Sequence, residues 1–121
     1  MKIHLWFSVV LVISVLYGCD GGVETESLKS FGQAQFSKES WSNSGQEERS
    51  KMIYSFLQSN KPIQNLSRDQ VIDQLGDSTS YYQYDEFPAY EISQDSTVYT
   101  LAFVIDRNTA KVKGIELEKM P

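Results

Sequence analysis

Val98-Tyr99-Thr100-Leu101-Ala102-Phe103-Val104-Ile105 is the stretch that decides the fold. In an extended chain successive side chains point to opposite faces, so Tyr99, Leu101, Phe103 and Ile105 share one face. Val98, Thr100, Ala102 and Val104 share the other, and both sets are mostly apolar. Such a strand is expected at the centre of a sheet, with helices over one face and partial cover on the other. Downstream, Asp106-Arg107-Asn108-Thr109-Ala110 reads as a hairpin connection into a strand over 111–118. There Val112, Ile115 and Leu117 break strict alternation around Gly114, and a bulge at that glycine would bring all three to the core face. Upstream, residues 81–84 are aromatic and bounded by turn formers and read as strand, which residues 90–93 continue or restart after Pro88.

Two helical signals precede these strands. Ser67 and Gln70 have capping-box spacing, Leu66 and Val71 are placed as a hydrophobic staple, and Gly76 supplies a left-handed terminus. Val71, Ile72 and Leu75 form the buried stripe of that short helix. Ser44-Gly45-Gln46-Glu47 has the same box spacing, Met52, Ile53, Phe56 and Leu57 follow on one helical face, and Asn60-Lys61-Pro62 stops the run. The order of elements predicts an α+β domain over 46–121: two short helices packed on a three-stranded antiparallel sheet, a two-layer sandwich.

Ahead of that domain, residues 19–45 are rich in Ser, Gly, Gln and Glu, show no sustained period, and read as a flexible tether. Phe31, Phe36 and Trp41 interrupt it, either as docking anchors for a partner or as groups that fold back onto the domain. At the start of the chain, Met1-Lys2 and the apolar run 3–17 match the n- and h-regions of a secretory signal. The run stops in Gly18-Cys19-Asp20-Gly21-Gly22, short of the roughly 20 apolar residues of a spanning helix. Leu16-Tyr17-Gly18-Cys19 resembles the lipobox of bacterial lipoproteins. That resemblance implies a signal peptide over 1–18, cleavage before Cys19, diacylation of its thiol and a domain held outside the cytoplasm by two or three acyl chains. Asp20 directly after the cysteine is a mild pointer to inner-membrane retention.

Charge and composition narrow the functions open to such a chain. The 121 residues carry 11 Lys+Arg against 16 Asp+Glu, a net charge of −5, which argues against a nucleic-acid surface. Removing residues 1–18 takes away Lys2 and the single histidine, His4, leaving 103 residues at a net charge of −6. With the only cysteine acylated, thiol nucleophiles, disulfides and Cys- or His-based metal sites are unavailable. Asp85-Glu86, between Asp77 and Glu91, could in principle act as the paired carboxylates of a glycosidase, but the spacing is unspecific. No calcium-loop register is present there, and Ser78-Thr79-Ser80 lacks a base. No catalytic residue, metal or cofactor is assigned.

Tyr81, Tyr82, Tyr84, Phe87 and Tyr90 put five aromatics in ten residues, more than one face of a small sheet can bury. Exposed tyrosines beside carboxylates would make a protein-binding patch, with Tyr81, Tyr82, Tyr84 and Phe87 as its candidates. The alternative is a minor core over the second face of the sheet.

The segments Leu66-Ser67-Arg68-Asp69-Gln70-Val71-Ile72-Asp73-Gln74-Leu75-Gly76, Tyr82-Gln83-Tyr84 and Leu101-Ala102-Phe103-Val104-Ile105-Asp106 resemble the small lipoproteins related to the outer-membrane assembly factor SmpA or OmlA. The likeness covers roughly residues 47–118. It implies a membrane-anchored, non-enzymatic accessory or assembly subunit that binds an envelope protein, with no small-molecule substrate. No individual binding residue is carried over. The rival expectation is a periplasmic inhibitor or immunity-type lipoprotein whose acidic surface blocks an enzyme.

Overall fold

The computed structural model describes residues 23–121, and the signal peptide expected over 1–18 and Cys19 lie outside them. Three strands, β1 (Ala89–Gln94), β2 (Thr97–Asp106) and β3 (Lys111–Lys119), form one antiparallel sheet with β2 in the middle. The helices are α1 (Lys38–Ser42), α2 (Gln46–Ser59) and α3 (Arg68–Leu75), with 3₁₀ turns at Thr25–Phe31 and Ile63–Asn65. The small α+β architecture expected from the sequence is the architecture observed.

β2 owes its central place to its two apolar sides. Leu101, Phe103 and Ile105 face the helices and are buried, while Thr100 and Ala102 on the opposite face are buried too. Register pairs Tyr90 with Leu101 and Ile92 with Tyr99 on one side, and Leu117 with Leu101 and Ile115 with Phe103 on the other. Val104 opposes Gly114 while Ile105 opposes Val112, so Lys113 is the extra residue of a bulge beside Gly114. That bulge keeps Val112 and Ile115 inside and Leu117 partly buried against the same core.

α3 has the cap its sequence specifies. Ser67 Oγ accepts from Gln70 N at 3.1 Å and Gln70 Oε1 accepts from Ser67 N at 2.8 Å. α2 does not: its N-cap is Gly45 with no side-chain cap bond, because Ser44 Oγ donates back to Ser40 O at 2.6 Å. A preceding helix, α1, competes for that serine.

The expected tether is corrected over residues 23–45, which belong to the domain. Leu28, Phe31 and Trp41 are buried. Ala34 N donates to Lys51 O at 3.0 Å and Phe36 N to Ser55 Oγ at 3.0 Å, laying residues 32–36 along α2. Gly32 makes that approach possible: at φ 134°, a Cβ there would lie 2.9 Å from Lys51 Cβ. The physical reason for the correction is a closed set of aromatic contacts. Phe36 meets Phe56 (5.1 Å between ring centroids), Phe56 meets Phe103 (6.0 Å), Phe103 meets Tyr90 (6.2 Å), Tyr90 meets Trp41 (5.9 Å) and Trp41 returns to Phe36 (6.2 Å). Two of its five members come from the expected tether, and edge-to-face pairs add roughly 0.5–1.5 kcal/mol each beyond area burial. Trp41 also donates from Nε1 to Leu75 O at 2.8 Å, tying α1 to the end of α3.

Candidate functional site

Residues 76–88 leave α3, cross the face of the sheet that the helices do not cover, and return to β1. Gly76, at φ 83°, ends the helix, and its carbonyl accepts from the buried Tyr90 hydroxyl at 2.7 Å. Thr79 N and Ser80 N then donate to Ala89 O at 2.9 and 3.1 Å. Ser78 Oγ accepts from Ala89 N at 3.0 Å, and Thr79 Oγ1 from Glu91 N at 2.9 Å. Short hydroxyl side chains thus occupy the outer edge of β1, where a fourth strand would otherwise pair. Ser80 Oγ lies 2.7 Å from Thr100 Oγ1, fastening the crossing segment to the buried threonine of the central strand.

The segment was expected to be strand over 81–84 and is instead a tight turn. Gln83 adopts φ 61° and Tyr84 N donates to Tyr82 O at 2.6 Å, a γ-turn that no ladder could accommodate. Tyr82 lies half-buried beside Glu116 and Glu118, and desolvation, then those two carboxylates, push its hydroxyl pKa up. Tyr81 is 59% exposed and Tyr84 47%, and no other large hydrophobic side chain among the described residues is so exposed.

Tyr84 is nevertheless fixed. Its ring stands edge-on to Phe87 at 5.2 Å, and the Arg107 guanidinium lies 4.4 Å from its centroid on the other side. Arg107 Nε donates to Glu86 Oε2 at 2.6 Å, and Arg68 Nε donates to Glu86 O at 2.7 Å. Glu86 therefore gathers the β2–β3 hairpin and the start of α3 around one turn of chain. A pair this exposed is worth at most about 1 kcal/mol, so its effect is to orient Arg107 rather than to hold the fold.

The expected patch is corrected in one member. Phe87 is buried at 6% exposure and supports Tyr84 from below, because Pro88 and Ala89 enter the sheet immediately after it. Tyr90, also in the aromatic run, is wholly buried. The structure brings Tyr81, Tyr82 and Tyr84 to one surface. Tyr82 covers part of the second face, while its neighbours Tyr81 and Tyr84 face solvent. Among the described residues no group of three or more Asp, Glu, His or Cys is placed to hold a metal ion. No helix of the described residues is long and apolar enough to cross a membrane.

A groove elsewhere on the domain escaped sequence reasoning. A groove of about 440 Å³ runs between α1 and the end of α3, lined by Lys38, Trp41, Asp73, Leu75 and Gly76. Lys38 Nζ and Asp73 Oδ1 approach to 3.5 Å across it. Trp41 was the signal that could have located it, being a large aromatic inside a polar stretch.

No family model, no curated protein and no solved structure matches this chain.

Proposed function

We propose that the chain is an extracytoplasmic lipoprotein, anchored through acyl groups on Cys19, whose α+β domain is a non-enzymatic binding module for another envelope protein. The anchor reading stands on residues 1–19: a cationic start, an apolar run too short to span, and Leu16-Tyr17-Gly18-Cys19. The binding reading stands on one observation, the exposure of Tyr81 and Tyr84 on a loop whose backbone is already fixed. Tyrosines with two rotatable side-chain bonds bury much area at little entropic cost, and a pre-ordered loop lowers the ordering cost further. Arg107, held beside Tyr84, adds a cation to the same surface and favours a partner with an acidic or carbonyl-rich counterpart.

A photo-crosslinking amino acid at Tyr81, and separately at Tyr84, tests this in intact cells. The expected result is one recurrent envelope protein captured from both positions and not from Lys61 on the opposite layer. Capture of one soluble enzyme whose activity is thereby lost would replace the accessory-subunit reading with the inhibitor reading. Equal, diffuse labelling from all three positions would refute the patch.

A further inference from the structure

Val23 is the first described residue, and its N–H donates to Ile115 O at 2.8 Å on the outer edge of β3. Cys19 stands four residues earlier. A fully extended chain covers about 3.3–3.6 Å per residue, so the acylated sulfur and the middle of that edge can be no more than about 14 Å apart along the backbone. A flexible coil over residues 20–45, as expected from composition, would have allowed roughly 25–30 Å of root-mean-square reach. Folding residues 23–45 onto the domain removes almost all of it.

β3 itself carries three lysines and two glutamates, Glu116 and Glu118, the glutamates lying beside Tyr82. Lys111, Lys113 and Lys119 of β3 are exposed, and among the described residues none has a carboxylate within 4.0 Å. Lys51 and Lys61 on the helical layer are likewise exposed without a carboxylate, whereas Lys29, Lys38, Arg68 and Arg107 are paired with acids. The α1–α3 groove lies toward the other side of the sheet. α3 starts beside β3, where Ser67 bridges Lys111, and ends at Gly76, under the Tyr90 hydroxyl of β1.

We infer that the β3 edge is a membrane-apposed surface, held against anionic phospholipid headgroups by a four-residue leash and by Lys111, Lys113 and Lys119, with the α1–α3 groove facing away. The inference rests on the reading that Cys19 is acylated. Its physical content is that lysines confined within a Debye length of an anionic surface are drawn to it, while the leash sets which side of the domain reaches that surface. Any protein partner is then met close to the bilayer plane and not from a freely swinging domain.

The test uses the full-length acylated protein in vesicles of phosphatidylethanolamine and phosphatidylglycerol. Cys19 is the only cysteine, so Lys113→Cys and Lys38→Cys each present one free thiol for a fluorophore and each remove one lysine. Quenching by headgroup-nitroxide lipid should be several-fold greater at position 113 than at 38. Insertion of ten Gly/Ser residues between Gly22 and Val23 should shrink that ratio toward one. Equal quenching at the two positions in protein that floats with the vesicles would overturn the apposed surface and leave the anchor standing. A Cys19 peptide without acyl mass would overturn the anchor reading, and this inference with it.

Discussion

Trp41→Ala should destabilise the domain by about 3–5 kcal/mol, the usual range for truncating a buried aromatic side chain. Trp41 is 1% exposed, in contact with Tyr90 and Phe36, and its Nε1 is bonded to Leu75 O at 2.8 Å. Truncation removes both ring contacts and strips that carbonyl of its donor, a loss of about 1–3 kcal/mol on its own where water cannot enter. Arg49 is implicated as well: its guanidinium lies 4.7 Å from the indole centroid and its Nε donates to Trp41 O at 2.8 Å. Burial there lowers the Arg49 pKa, with Tyr90 opposing the shift. Small domains are stable by about 5–15 kcal/mol in total, so the alanine variant should be near its unfolding midpoint under mild conditions. Trp41→Phe keeps a ring and loses the Nε1 bond, and should fall between, at about 1–3 kcal/mol. Urea unfolding of the unanchored Cys19→Ser protein, followed by far-ultraviolet circular dichroism, measures both. If Trp41→Ala lies within about 0.5 kcal/mol of its parent, residues 23–45 are a tether after all and the aromatic ring is wrong.

Ser67→Ala should cost about 1 kcal/mol by opening the capping box of α3, whereas Ser44→Ala, which caps nothing at α2, should cost less than about 0.5 kcal/mol; paired denaturation midpoints compare them. Gly32→Ala should lose about 1–3 kcal/mol, because it forces a side chain at φ 134° into Lys51, and a melting temperature unchanged from the parent would contradict the close approach. Burial above all, then Asp77, raises the Tyr90 pKa above the ordinary value of 10.0, while Arg68 and Arg49 oppose the shift. Its neutral form is therefore favoured in the fold: its share of stability is fully present below pH 10 and falls by about 1.4 kcal/mol per pH unit above it. Tyr90→Phe should lose stability at neutral pH through the orphaned Gly76 carbonyl, yet show a shallower decline in alkali, as measured by denaturation across that range. Arg107→Ala should leave the melting temperature nearly unchanged while weakening crosslinking from position 81, since it orients the neighbouring Tyr84 ring without being buried.

Where the sequence repeats a period that matches its element, it was readable. The alternation around Leu101 and Phe103 placed β2 centrally, and Ser67, Gln70 and Gly76 marked both ends of α3 within a residue. The bulge beside Gly114 could be inferred because Val112 and Ile115 have the wrong parity for one flat strand. Residues 23–45 were opaque for the converse reason. Leu28, Phe31, Phe36 and Trp41 are each anchored by a different neighbour, through a 3₁₀ turn, an extended run and a five-residue helix, so no single period spans them. Residues 81–84 misled by composition: tyrosine favours strands, but Gln83 turns the chain through a positive φ and the second face is covered by a loop. The candidate patch was half legible. Tyrosine density announced exposure, while the burial of Phe87 depends on the Pro88 carbonyl accepting from Phe103 N, a contact 15 residues distant that no local pattern encodes.

The bond from Val23 to Ile115 carries a consequence in time. It joins the first described residue to the last strand, while Ser30 O accepts from Gln94 Nε2 at 3.0 Å and Phe31 rests on Tyr99 at 5.3 Å. Residues 34 and 36 can meet α2 early, but the outermost contact, from Val23, waits for β3. Such long-range closure slows folding and postpones it until synthesis is nearly finished.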